Sequence, residues 1–146
     1  MSVSLLWLYL IACAGRPQDQ PWTLVLGGLD AYCDSAVAEA YGASLQDESV
    51  PFVVDFVDRT SFTIDMDGLA LQDCELQARD FWCWGADSTR YEGDDTLVYS
   101  TYLYGAFRSK DRMSVEVEQY LTCDGCGVEG SSAWCDFYLF GTATTD

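Results

Sequence analysis

Between residues 113 and 123 the chain reads MSVEVEQYLTC, and its alternation limits the fold more than any other stretch. Met113, Val115, Val117, Leu121 and Cys123 share one parity, while Ser114, Glu116, Glu118, Tyr120 and Thr122 share the other. A period of two belongs to a strand with one buried face; a helix would scatter these residues around its axis. The preceding TLVYSTYLYGAF (96–107) is rich in β-branched and aromatic residues, so the charged RSKDR (108–112) is expected to turn a long hairpin. Phe62, Ile64 and Met66 alternate in the same way ahead of Asp67-Gly68, a dipeptide suited to a tight turn, with a returning strand expected from near Leu69. Further strands are expected at 22–26, 52–57, 78–84 and 134–140. Only 35–41 has a helical pattern, with Asp34 or Ser35 as its cap and Gly42 as its stop. The expectation is a mainly β domain: an antiparallel meander closing into a small barrel or sandwich, with one short helix and braced by disulfides.

A chain of 146 residues that is 49% hydrophobic and 14% aromatic has material for one core and one domain. Its 24 acidic and 7 basic residues give a net charge of -17, which opposes binding to nucleic acid or anionic lipid surfaces. Such an excess either attracts cations and basic proteins or simply keeps the surface solvated. Seven cysteines in a chain of this length favour an oxidising compartment. Cys33, Cys74, Cys83, Cys123, Cys126 and Cys135 are expected to form three disulfides. The preferred pairs are Cys74 with Cys83 and Cys126 with Cys135, each bracketing a chain reversal, which leaves Cys33 for Cys123.

The remaining cysteine, Cys13, follows LLWLYLIA (5–12), an apolar run shorter than the roughly 20 residues a spanning helix needs but suited to a signal-peptide core. Leu10-Ile11-Ala12-Cys13 resembles the bacterial lipobox. That resemblance implies a diacylglyceryl group on the Cys13 thiol, cleavage before Cys13 and acylation of the new amine, several chains together making a firm anchor. Ala14, standing where an Asp would favour inner-membrane retention, implies the outer membrane. MSVS departs from the pattern in carrying no Lys or Arg. The expected organisation is a signal peptide over 1–12, a lipidated tether over 13–21 and one β-domain over 22–146. In architecture the body resembles the small uncharacterised disulfide-rich β lipoproteins of Gram-negative bacteria.

The chain has no histidine, so serine-histidine and cysteine-histidine mechanisms are excluded. It also lacks a nucleophile elbow, a P-loop and a dinucleotide fingerprint. No catalytic residue or cofactor is expected. Asp136 with Glu116 or Glu118 is the first place to seek a glycosidase pair, although the regular alternation of the two glutamates reads more simply as a wet face. DMDG at 65–68 has Thr63 and Cys74 where a calcium loop needs carboxylates, so it reads as a turn. Cys123 and Cys126 have zinc-knuckle spacing and Cys74 and Cys83 could complete a set, but disulfides are the simpler use and no metal is expected. Tyr99, Tyr102 and Tyr104 on one strand, and Phe81, Trp82 and Trp84 on another, fall on both faces of their strands. One set belongs to the core; the other is a candidate surface for a sugar, a peptide or a small apolar ligand. The expected function is a non-catalytic envelope or binding module, with the membrane as partner through its lipid and an envelope protein, glycan or small apolar ligand as the other. The alternative is a lipocalin-like carrier, although Gln20-Pro21-Trp22 lacks the glycine of that family's Gly-x-Trp.

Overall fold

The computed structural model describes residues 20–45 and 49–145. Nine strands alternate with tight turns: β1 (Gln20–Cys33), β2 (Ser49–Phe56), β3 (Ser61–Met66), β4 (Gln72–Gln77), β5 (Asp80–Gly85), β6 (Ser88–Glu92), β7 (Asp95–Ser109), β8 (Arg112–Asp124) and β9 (Ala133–Thr144). One α-helix, α1 (Ala36–Tyr41), lies between β1 and β2. Its Ser35 cap accepts a hydrogen bond from the Ala38 N–H, and Gly42 ends it at φ 68°.

All pairings are antiparallel, and the sheet closes on itself: β1 pairs with β9, and β5 pairs with β7. β5 and β6 run end to end beside β7, so the meander forms a ring with eight strand positions. The expected mainly antiparallel β class is therefore the observed one. Closure leaves few unpaired edges, which otherwise invite pairing between chains.

Successive turns fall at alternate ends of the ring. At one pole lie the start of β1 and the β2–β3, β4–β5 and β7–β8 turns, with Arg59, Arg79, Arg108, Lys110 and Arg112 set among Asp58, Asp80 and Asp111. Arg90 is the other described basic residue and lies on β6. The opposite pole carries α1 and the β3–β4, β6–β7 and β8–β9 connections, with Glu39, Asp67, Asp94, Asp95, Asp124 and Glu129.

The interior is filled by inward side chains from every long strand, including Trp22, Phe62, Tyr99, Leu103, Met113, Val117 and Phe137, all essentially without exposure. At the basic pole Phe107 packs against Trp22, Phe56, Phe62 and Phe81 at centroid distances of 6.2, 6.3, 5.8 and 5.2 Å. Gly105 is required beneath this cluster, because a Cβ there would collide with the Phe81 ring and the Ser114 carbonyl. At the acidic pole buried Ala43 and Leu45 close the ring, held by the amide of Gln119.

Several expected boundaries move. β1 starts at Gln20 rather than Trp22, so Gln20 and Pro21, assigned to the tether, pair with Val54 and Val53. Proline is tolerated there because, among the described residues, β9 joins β1 only from Thr23, so Pro21 stands where the strand is paired on one side. β1 also continues to Cys33, past the expected end at Leu26, since ring closure gives its second half a partner in β9. The strand after Asp67-Gly68 begins at Gln72, and β6 was not expected.

Three disulfides are present, and Cys74–Cys83 is as expected. The other two pairs correct the expected map: Cys33 bonds Cys135, and Cys123 bonds Cys126. The reason is ring closure, which sets Cys33 directly opposite Cys135 on β9 with Cα atoms 4.1 Å apart. Linear spacing carries no trace of that contact.

Candidate functional site

The parity that fills the ring also decides what stands outside it. Trp82 and Trp84 on β5, Tyr102 and Tyr104 on β7, Tyr120 on β8, and Trp134 and Phe140 on β9 are all exposed by 37 to 42%. Strand register puts them in rows across the sheet. One row runs Glu75, Trp82, Tyr104, Glu116, Phe140; the next runs Asp73, Trp84, Tyr102, Glu118, Tyr138, Asp30. A third sets Tyr120 opposite Asp136 and Asp136 opposite Tyr32.

Ring contacts stiffen this face. Tyr120 stacks on Trp134 at 6.1 Å, and Tyr32 meets Tyr138 edge-on at 6.0 Å. The Tyr138 hydroxyl donates to Asp136 Oδ2 at 3.0 Å and lies 3.3 Å from Glu118 Oε1. The hydrogen bond to Asp136, with burial and the Glu118 charge behind it, pushes the Tyr138 phenol up to about 12. Tyr104 is also raised, by burial first and then by Glu118 and Glu116. Asp136 Oδ1 is shielded from water and, among the described residues, meets no donor. An open groove of about 380 Å³ lies on this face beside Tyr104, Glu116 and Phe140, with Asp80 and Arg108 also in its lining.

Of the predicted ligand-surface residues, Trp82, Trp84, Tyr102 and Tyr104 come together here. Tyr99 does not: three residues before Tyr102 it has the opposite parity, is 1% exposed, and directs its hydroxyl to the Gly42 carbonyl at 3.5 Å. It belongs to the core. Tyr120 has the outward parity read for 113–123, whereas Tyr32, Trp134, Tyr138 and Phe140 went unrecognised as surface residues, although for the last three the alternation of AWCDFYLF at 133–140 carried the signal.

Asp136 and Glu118, proposed from sequence as members of a carboxylate pair, do approach one another through the Tyr138 hydroxyl. They lie on the outer surface of the ring. Cys123 and Cys126 are bonded to each other beside Asp95, whose Oδ2 accepts from Tyr41, so their sulfurs are not thiolates available to zinc. Asp67-Gly68 is the expected turn, with Gly68 at φ 84°. Cys13 lies outside the described residues.

Comparison with known proteins finds no family model, no curated protein and no solved structure that matches this chain.

Proposed function

We propose that this protein is a non-catalytic binding module of the bacterial envelope, anchored to the outer membrane by acyl chains on Cys13 and engaging its partner through the outer face of β5, β7, β8 and β9. The observation that carries the reading is the segregation of aromatics: one set fills the ring while a second stands in rows on the outer face, with Glu116 and Glu118 set between its members. A patch of this kind marks an interaction surface in a soluble domain. The filled interior favours an outward-binding module over a carrier with an internal cavity. The bridged pair Asp136 and Glu118 stands on an outer surface that offers nothing to exclude water from a scissile bond, which favours binding over hydrolysis.

The polarity of the ring fits the anchor. β1 begins at the basic pole, and the short segment from Cys13 to Gln20 reaches at most about 25 Å when extended. Lipidation at Cys13 therefore brings the pole with Arg59, Arg79, Arg108, Lys110 and Arg112 toward the headgroups. The acidic pole then faces away from the lipid.

The test is affinity capture from native envelopes with the full chain and with a Trp84→Ala, Tyr102→Ala variant. A partner held by the first and lost by the second, at unchanged circular dichroism, is the expected result. Identical captures would remove the patch from the function, and glycoside turnover abolished by Asp136→Asn would replace binding with hydrolysis. Fractionation of a Cys13→Ser variant tests the anchor separately, with release from membranes expected.

A further inference from the structure

Resting on the reading of the outer face as a binding surface, we infer that its partner is a cationic polypeptide presenting Arg or Lys side chains in an extended segment. The register gives each central carboxylate an aromatic neighbour on both sides: Glu116 lies between Tyr104 and Phe140, and Glu118 between Tyr102 and Tyr138. At the β4 border Asp73 flanks Trp84 and Glu75 flanks Trp82. An arginine side chain laid there meets a carboxylate and a ring face together, combining a charge-assisted hydrogen bond with cation–π attraction.

Arg108 lines the groove beside Tyr104, Glu116 and Phe140 but, among the described residues, pairs with no carboxylate of the rows. Among the described residues none of these carboxylates is ion-paired, while five basic residues gather at the pole. The described ion pair and the described cation–π contact both belong to Arg90 on β6, with Glu92 at 2.9 Å and the Tyr99 ring at 6.0 Å. Asp136 Oδ1, beside the rows, meets no donor among the described residues.

Spacing and charge favour a peptide over other ligands. Glu116 and Glu118 are alternate residues of one strand, roughly 7 Å apart, the repeat of alternate side chains in an extended peptide. The net charge of -17 draws such a segment in from a distance and repels anionic glycans and lipids. A neutral sugar would gain stacking but nothing from the carboxylate pattern.

The experiment titrates the full chain in detergent with deca-arginine, with the same decamer carrying citrulline at every position, and with chitohexaose, reading tryptophan fluorescence. Citrulline keeps the planar shape and removes the charge. Deca-arginine is expected to bind in a salt-dependent manner and the citrulline peptide to bind at least about tenfold more weakly. Glu116→Gln with Glu118→Gln should weaken deca-arginine by roughly tenfold or more, whereas Asp67→Asn with Asp94→Asn, the same change of charge at the distant pole, should leave it within about twofold. Equal weakening by both double variants, or equal affinity for the citrulline peptide, would overturn the inference. Binding of chitohexaose but not deca-arginine would overturn the partner class and leave the binding surface standing. Binding of neither probe, together with identical envelope captures by the wild type and the Trp84→Ala, Tyr102→Ala variant, would remove both.

Discussion

Gln119 is fully buried inside the ring, yet its amide is well satisfied. Oε1 accepts from the backbone N–H groups of Ser44 at 2.9 Å and Leu45 at 3.3 Å, while Nε2 donates to Ser44 Oγ at 2.8 Å and Thr101 Oγ1 at 3.0 Å. Gln119→Leu would fit the volume and strand those partners. A buried polar group left unpaired costs about 1–3 kcal/mol, and each kcal/mol lowers the melting temperature by about 2–4 °C in a chain near this size. A thermal melt should therefore fall by several degrees; an unchanged melt would mean that the segment 43–45 is held by packing alone. Tyr138 gives a different readout. Its phenol is raised to about 12 from an ordinary 10.0, so the folded state favours the neutral form. That contribution to stability is intact below about pH 10 and is lost as pH rises toward 12. Absorbance at 295 nm should show a tyrosine ionising late, and Tyr138→Phe should remove that step. Both residues were present in the sequence as members of alternating strands. Gln119 sits on the inward parity of 113–123 without an apolar side chain, and its partners Ser44 and Leu45 come from a distant part of the chain, beyond the reach of any local pattern; Tyr138 finds Asp136 only two residues away, but Glu118 arrives through the pairing of β8 with β9.

At the scale of elements, turns reveal where local chemistry and fold disagree. Asp58 shapes the β2–β3 turn by accepting from the backbone N–H groups of Thr60 and Ser61 at 2.7 and 2.8 Å, and Gly68 supplies the positive φ that the β3–β4 turn needs. The β4–β5 turn has no such residue: Ala78 is held at φ 59°, in the left-handed region. An L-residue pays roughly 1–2 kcal/mol there, partly offset in glycine by the 0.5–1 kcal/mol entropy cost of a more flexible unfolded chain. Ala78→Gly should thus stabilise the domain by up to about 1 kcal/mol, seen as a higher urea midpoint at unchanged slope. A lower midpoint would show that the surrounding hairpin, not the turn, fixes this φ. The strands legible in sequence were β3 and β8 by their alternation, β7 by its β-branched and aromatic content, and β2, β5, β9 and the first half of β1 as short runs bounded by turn residues. β6 was missed because STRYE is exposed along almost its whole length and has no apolar parity to read. The second half of β1 was missed for the same reason, since GGLDAY lies exposed on both faces and is a strand only because β9 pairs with it.

For the whole molecule, the decisive event is the meeting of the first and last strands. Cys33–Cys135 fastens that seam across a sequence separation of 102, whereas Cys74–Cys83 and Cys123–Cys126 span 9 and 3. In the chain-entropy model these closures restrict the unfolded chain by about 4.7, 2.6 and 1.6 kcal/mol respectively. The long bond also fixes the outer face, because β9 carries Asp136, Tyr138 and Phe140 in the residues that follow Cys135. Paired alanine substitutions of Cys33 and Cys135 should therefore cause the largest loss of stability among the three disulfides, and substitution of Cys123 and Cys126 the smallest. Urea titrations of the three double variants test the order, with non-reducing peptide mapping to verify the surviving bonds. A smaller loss at the seam than at Cys74–Cys83 would mean that β1 and β9 already associate in the unfolded chain, so the bond removes less freedom than its span implies. If the order holds, the seam variant should also show the weakest tryptophan response to deca-arginine as urea rises, because the rows across β8 and β9 lose their register when the ring opens.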